Sequence, residues 1–286
     1  MSDVRTDELS GATVVMAGSR QHRPNRPGAS ACPFCVGGVE APEPYDVKAF
    51  VNRWPSFPDD RCEVVLYTPE HDLAFPDLGV DGARRVVDLW ADRTAALGGR
   101  ADVAYVLVFE NRGDEVGATI AHPHGQIYAY DRVPDVPLTE LRRASRGECP
   151  TCGPVDDALV VAESDSWRAW VPAASGYPYA LLLAPDVHRP DLPSLDGPQR
   201  DGLAVLLVDV LARLDRLFDA PLPYMLWIHQ RPTDGALWSE AHVHVHVVSP
   251  MRSPGVQRYV AAAELGSGTF VNPVVPEDAA AALRGA

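Results

Sequence analysis

Two hydrophobic periods share this chain, and they recur in the same order twice. EVVLYTPEH (63–71) and YALLLAPDVH (179–188) are short apolar runs ending in proline, an acidic residue and histidine, the pattern of buried strands entering turns. DGARRVVDLWADRTAALG (81–98) and GPQRDGLAVLLVDVLARLDRLF (197–218) space apolar residues three and four apart, which predicts amphipathic helices. YVLVFENRG (105–113) and YMLWIHQRP (224–232) predict strands that end in polar residues. Last come HPHGQIYAY (122–130) and HVHVHVVSP (242–250), where histidine occupies alternate positions. In extended backbone, positions i, i+2 and i+4 face one way, so each stretch sets a polar row on one sheet face.

The cysteines keep the same rhythm. Cys32-Pro-Phe-Cys35 and Cys149-Pro-Thr-Cys152 are C-x-x-C pairs, and each second cysteine lies 36 residues before a histidine, His71 or His188. From there to His122 and His242 the intervals are 51 and 54 residues (122 − 71 and 242 − 188). Five ordered elements at matching intervals predict an internal duplication. Each half reads strand, strand, helix, strand, strand, a mainly antiparallel α+β unit. The halves are expected at 1–140 and 141–286.

Composition narrows the class. With 46% hydrophobic and 22% charged residues the chain is an ordinary globular sequence. A net charge of −14 argues against a general nucleic-acid or anionic-membrane surface, while leaving room for a small phosphorylated ligand. No apolar run reaches 18 residues, and MSDVRTDELSG lacks a secretion signal, so a cytoplasmic location is expected. In a reducing compartment, spaced C-x-x-C pairs are metal ligands before they are disulfides. The fifth cysteine, Cys62, sits in an apolar run and reads as a buried thiol.

Cys32, Cys35, His71 and His122 are expected to make a tetrahedral zinc set with no open position, hence a structural site. The second set is Cys149, Cys152, His188 and His242, with His244 and His229 as competitors for the fourth place. Its metal is left open between zinc and iron. If His122 holds a metal, His124 is the imidazole available for chemistry on the same face. A neutral imidazole attacks phosphorus when one ring nitrogen is unprotonated and the other hydrogen-bonded. Gln126 can donate its amide to a phosphate oxygen as charge shifts. Gly125 is expected to leave room for a bulky phosphate. Asn111 is placed to bind ligand, and Gly117, Ala118 and Thr119 to supply backbone and hydroxyl donors.

FENRGDEVGATIAHPHGQIYAY (109–130) resembles the active-site signature of the galactose-1-phosphate uridylyltransferase family, in the histidine-triad superfamily. PFC, FVNRWPSF, PEHD and VQRYVAAAELGSGTFVNPVVPED extend the likeness over nearly the whole chain. The resemblance implies tandem histidine-triad halves forming an open, mainly antiparallel sheet flanked by helices, and a homodimer. It implies a ping-pong reaction in which UDP-glucose uridylylates His124 and galactose-1-phosphate takes the group. Arg20 and Arg23 then match the family's arginine pair, which reaches phosphate from the neighbouring subunit. Phe50 and Asn52 would lie near the nucleotide, and Arg258, Tyr259 and Glu264 near the hexose. Some members of the family place a glutamate and histidines around iron instead of the second C-x-x-C.

Three other readings compete. An ADP-sugar phosphorylase would run the same chemistry with adenine nucleotides. A histidine-triad hydrolase would resolve the intermediate with water, but such enzymes typically carry a third histidine where this chain has Gln126. A noncatalytic zinc-stabilised nucleotide binder fits the second half better than the first, because VHVHV lacks the glycine and glutamine. Arg142 to Arg146 read as a solvated linker, and DAAAALRGA as a short terminal helix.

Overall fold

The computed structural model describes residues 3–22, 32–147 and 149–286. The first half contributes β3 (Lys48–Val51), β4 (Cys62–Leu66), α1 (Gly79–Gly98), β5 (Tyr105–Arg112) and β6 (His124–Tyr130), after a hairpin of β1 (Asp3–Thr6) and β2 (Thr13–Met16). α2 (Asp135–Ala144) follows, and the expected division at residue 140 falls inside it. The second half holds β7 (Val160–Glu163), β8 (Trp167–Trp170), β9 (Leu181–Pro185), α3 (Gly197–Leu217), β10 (Tyr224–His229) and β11 (His244–Val248). A short β12–β13 ribbon (Met251–Ser253, Val256–Gln257), α4 (Ala262–Ser267) and α5 (Pro276–Gly285) close the chain.

Nine strands form one sheet in the order β3-β4-β6-β5-β10-β11-β9-β8-β7, and each neighbouring pair is antiparallel. The order is a palindrome of the repeat. β4, β6 and β5 answer β9, β11 and β10, and the halves join edge to edge where Tyr224–Ile228 pairs with Arg112–Val108. β7 is an addition on the far edge.

The helices explain which face becomes the core. Ala83, Val86, Val87, Trp90 and Leu97 fall on one stripe of α1 and are buried, as are Leu203, Leu207, Val210, Leu211 and Leu214 of α3. Both stripes meet Val65, Val108, Ile127, Leu226, Ile228 and Val247 in one apolar cluster. Asp196 caps α3 by accepting from the Gln199 amide at 2.9 Å, and Pro198 sits in its first turn. Arg200 of α3 bonds Asp88 of α1 at 2.9 Å, tying the two helices together. Residues one position out of phase along the strands face the other way. That second face carries His124, Gln126, His244 and His246, and there the chemistry gathers.

Arg142, Arg143, Ser145 and Arg146 are exposed, in line with a solvated linker face. Residues 142–144 close α2, whose Pro137 and Leu141 are buried and which lays Glu140 against the second half's histidines. α5 forms as expected, with Ala279, Ala280 and Leu283 packed into the core.

Candidate active site and metal centres

The HPHGQ stretch turns from loop to strand between its two histidines. Pro123 has no N–H to offer, and its carbonyl accepts from the Tyr67 amide at 3.3 Å. β6 begins at His124, and Gln126 then pairs with Val64 on one side and Phe109 on the other. His124 Nδ1 lies 2.8 Å from the His122 carbonyl oxygen. A carbonyl can only accept, so the proton sits on Nδ1 and the lone pair on Nε2. That is the tautomer a nucleophilic imidazole requires. Phe34 packs edge-on against the ring, centroids 5.1 Å apart.

His122 is locked in the opposite sense. It is fully buried, and its Nε2 donates to the Thr68 carbonyl at 2.8 Å, which turns Nδ1 to the Cys35 sulfur, 3.6 Å away. His71 Nδ1 approaches the same sulfur at 3.5 Å. The ligand atoms of Cys32, Cys35, His71 and His122 all lie within 4.8 Å of one another. Burial lowers the His122 pKa and raises that of the Cys35 thiol. Neutral imidazoles beside crowded sulfurs suit a borderline-soft divalent cation, which would hold both thiols as thiolates. The Tyr45 hydroxyl braces the site by donating to the Phe34 carbonyl at 2.7 Å.

A cavity of about 250 Å³ opens beside His124 and is lined by Asn111, Ala118 and His122 among others. Asn52 donates to Gln126 Oε1 at 3.4 Å, so these two amides meet on the nucleophile's face. Phe50 packs against Phe34 at 5.9 Å. Gly117 takes a left-handed conformation, φ 82°, and its amide donates to Asp114 O at 3.1 Å, while that of Ala118 donates to Gly113 O at 3.1 Å. Neither Gly117 nor Thr119 lines the cavity.

Gly125 has a different reason than expected. A Cβ there would stand 2.1 Å from the Tyr67 hydroxyl oxygen and 3.1 Å from the Phe109 carbonyl oxygen. Its neighbour on the strand, His124, faces the cavity, so position 125 faces the helices. Glycine is needed for packing behind the site, not for phosphate in front of it.

In the second half, Cys149, Cys152, His188 and His242 group in the same way. His242 Nδ1 lies 3.3 Å from both sulfurs, and His188 Nδ1 is 3.4 Å from Cys152. Burial pushes the Cys152 thiol up to about 11, and burial with the nearby His188 takes His242 down to about 4. His244 and His229, the competitors for this place, stand instead with His246 and Glu140 in a third group whose ligand atoms again lie within 4.8 Å. Glu140 Oε2 accepts from His229 Nδ1 at 2.7 Å and lies 3.4 Å from His244 Nε2. His246 Nε2 is buried with no hydrogen-bond partner among the described residues, 4.0 Å from Glu140 Oε1. Burial opposes the Glu140 charge, yet the His229 and His244 hydrogen bonds hold its pKa well below the carboxylate range. Burial lowers the pKa of His229 and takes that of His246 well below the usual imidazole range. Nitrogen and carboxylate donors of this kind suit zinc or iron.

Sequence reading missed Glu140 and His246. The third alternate histidine of HVHVHV was a usable signal for His246. Glu140 had none, because only the docking of α2 brings it there. The chain thus carries both the second C-x-x-C group and a glutamate–histidine group, which the family comparison offered as alternatives.

The remaining residues stand apart. Arg20 bonds Ser56 and, at 3.3 Å, the Tyr128 hydroxyl within its own chain, while Arg23 lies outside the described residues. Arg258 and Glu264 are buried against each other as an ion pair, with Arg258 between the rings of Tyr177 and Phe270 at 5.3 and 5.5 Å. Tyr259 is 78% exposed. None of these three C-terminal residues lines the cavity at His124. No helix among the described residues is long and apolar enough to cross a membrane.

Known proteins match this arrangement over its full length. Two family models fit the chain, the N-terminal domain of galactose-1-phosphate uridyl transferase over residues 43–134 and its C-terminal domain over 155–285. Galactose-1-phosphate uridylyltransferase of Thermotoga maritima is 35% identical over 312 residues, covering 99% of this chain and 98% of that protein. The Streptomyces lividans enzyme of the same name is 36% identical, covering 99% and 86%. A solved uridylyltransferase superposes with a TM-score of 0.89 at 27% identity, over 100% of this chain and 98% of the other.

Proposed function

Since the chain belongs to the galactose-1-phosphate uridylyltransferase family, we propose that His124 carries a uridylyl group from UDP-glucose to galactose-1-phosphate. The observation that carries this reading is the 2.8 Å bond from His124 Nδ1 to the His122 carbonyl, within HPHGQ and beside the cavity. The Nε2 lone pair attacks the α-phosphorus of UDP-glucose. A P–N bond forms, the bridging P–O bond breaks, and glucose-1-phosphate leaves with the electron pair. A phosphate oxygen of galactose-1-phosphate then attacks the same phosphorus, expelling neutral His124 and forming UDP-galactose. No net proton moves, because the departing glucose-1-phosphate and the attacking galactose-1-phosphate are of like basicity. This suits Gln126, which can donate a hydrogen bond but cannot protonate anything. The Nδ1–H bond supports the positive ring of the uridylyl intermediate.

In this reading Asn52, Asn111, Phe50 and the Gly117–Thr119 turn contact the nucleotide. Arg258, Tyr259 and Glu264 serve the hexose, and Arg20 and Arg23 the phosphates, across a homodimer interface. The bonds that Arg20 makes to Ser56 and Tyr128 would then be exchanged for ligand. Zinc in the two Cys₂His₂ groups would hold loops to strand ends, and zinc or iron in the third would hold α2; none takes part in a step. Residues 1–140 form the half with the nucleophile and 141–286 the half with the second metal site and the hexose-contacting tail, and the protein works in the reducing cytoplasm, where four sulfurs stay available to metal.

Intact-protein mass spectrometry after incubation with UDP-glucose alone tests the reading. A uridylyl adduct on the wild type, absent from His124→Ala and discharged by galactose-1-phosphate, is the expected result. An adduct from ADP-glucose only, discharged by inorganic phosphate, would move the chain to adenylyl transfer. Steady mononucleotide release with no adduct would make it a hydrolase.

A further inference from the structure

On the helix side of the sheet, behind the nucleophile, a carboxyl group sits in the apolar core. Glu110 of β5 is 4% exposed, and its Oε1 accepts from the Tyr224 hydroxyl at 2.7 Å. The groups facing it are Tyr67, Tyr224 and Arg112. Arg112 is committed to Asp215 of α3 at 2.7 and 2.9 Å, so among the described residues Glu110 has no ion pair. Burial pushes its carboxyl up to about 7. Glu110 Oε2, the Tyr67 hydroxyl and the Trp90 indole N–H are all buried without a well-formed hydrogen bond among the described residues, and the Tyr67 hydroxyl faces both the carboxyl and the indole. Polar atoms left this way cost stability, so three kept in one place behind an active site call for a role.

Tyr67 links the cluster to the nucleophile. Its amide donates to Pro123 O at 3.3 Å, and its hydroxyl fills the space a Cβ of Gly125 would take. Both neighbours of His124 are therefore seated on one tyrosine. The following residue, Thr68, accepts from His122 Nε2, so the same short segment also orients the metal-facing histidine. We propose that Glu110 is a positioning residue for transfer at His124, acting through Tyr67 to fix the backbone at Pro123 and Gly125. Its carboxyl orients the two tyrosine hydroxyls, and Tyr67 sets how far Nε2 advances into the cavity. In-line attack needs reacting atoms at about 3–3.5 Å, and a misplacement of about 1 Å can cost roughly 100-fold in rate.

This inference rests on His124 being the nucleophile, and the experiment separates the two. Rapid-quench mass spectrometry follows adduct formation from UDP-glucose in wild type, Tyr67→Phe, Glu110→Gln, Glu110→Met and the Tyr67→Phe/Glu110→Met pair, with melting curves read alongside. Tyr67→Phe and Glu110→Met should each slow adduct formation by about tenfold or more with KM little changed. Glu110→Gln, which can still bond both tyrosines, should recover most of the rate. The double variant should be no slower than either single one, because both act along one path. Should Glu110→Met not fold, Tyr224→Phe takes its place. Single variants that melt earlier yet keep the wild-type rate, or slowings that multiply in the pair, would overturn the inference and leave the nucleophile standing. A wild type that forms no adduct would overturn both.

Discussion

The two halves make the same hydrogen bond for different ends. In the first, His124 Nδ1 meets the His122 carbonyl at 2.8 Å; in the second, His244 Nδ1 meets the His242 carbonyl at 2.8 Å. Each carbonyl belongs to a histidine that faces a C-x-x-C pair. Beyond that point the halves diverge. Both histidines border a cavity, of about 250 and about 230 Å³, but that of His124 holds Asn111, whereas in the other His244 Nε2 is 3.4 Å from Glu140, and His246 stands where the first half has Gln126. A strand motif of alternate histidines therefore has no function of its own. What covers the sheet decides, and α2 covers only the second copy.

Several experiments could break that comparison. The largest effect should come from the nucleophiles: His124→Ala should abolish adduct formation and lower turnover by roughly 10⁴-fold or more, while His244→Ala keeps the adduct. Comparable losses from both would mean the second face also takes part. Next, Gln126→Ala should cost roughly 10²- to 10³-fold in kcat, measured at saturating substrate, because only the first row meets developing charge. His246→Gln should leave kcat intact and instead reduce bound metal, read by elemental analysis.

Metal removal should then fall on stability. Cys35→Ser should lose about one equivalent of metal and lower Tm by about 10 °C, with Glu140→Gln a smaller loss, as it removes one ligand of the third group. The smallest effect is a pH dependence. Glu110 has a folded pKa of about 7, above the usual carboxylate value, so its contribution is fully present at low pH. It is lost as pH rises through about 7, when folding must bury the charge. Relative to Glu110→Gln, the wild type should lose on the order of 2 kcal/mol between pH 5 and 8 in denaturant titrations. Parallel curves for the two proteins would show that Glu110 ionises as it does in water.

Much of this was legible in the chain because local chemistry and fold agree. Periods of two and 3.6 gave the strands and α1 and α3, and the matched intervals from Cys35 to His71 and from Cys152 to His188 anticipated two metal-ligand groups that the fold brings together. What escaped depends on contacts between distant elements. α2 was not anticipated as a helix, and packing of Pro137 and Leu141 turns Glu140 toward the histidines. Strand alternation already turned position 125 away from His124, but the Tyr67 hydroxyl that demands glycine there comes from the end of a neighbouring strand and left no local signal. The ion pair between Arg258 and Glu264 was equally hidden, since spacing alone cannot show which buried charges meet.

The join between the halves has a mechanical result. Because β5 and β10 are hydrogen-bonded from Arg112–Tyr224 to Val108–Ile228, the two repeats share one continuous sheet. On the proposed reading both sugar phosphates would use the one bay at His124 in turn, set into a frame that spans both copies of the repeat.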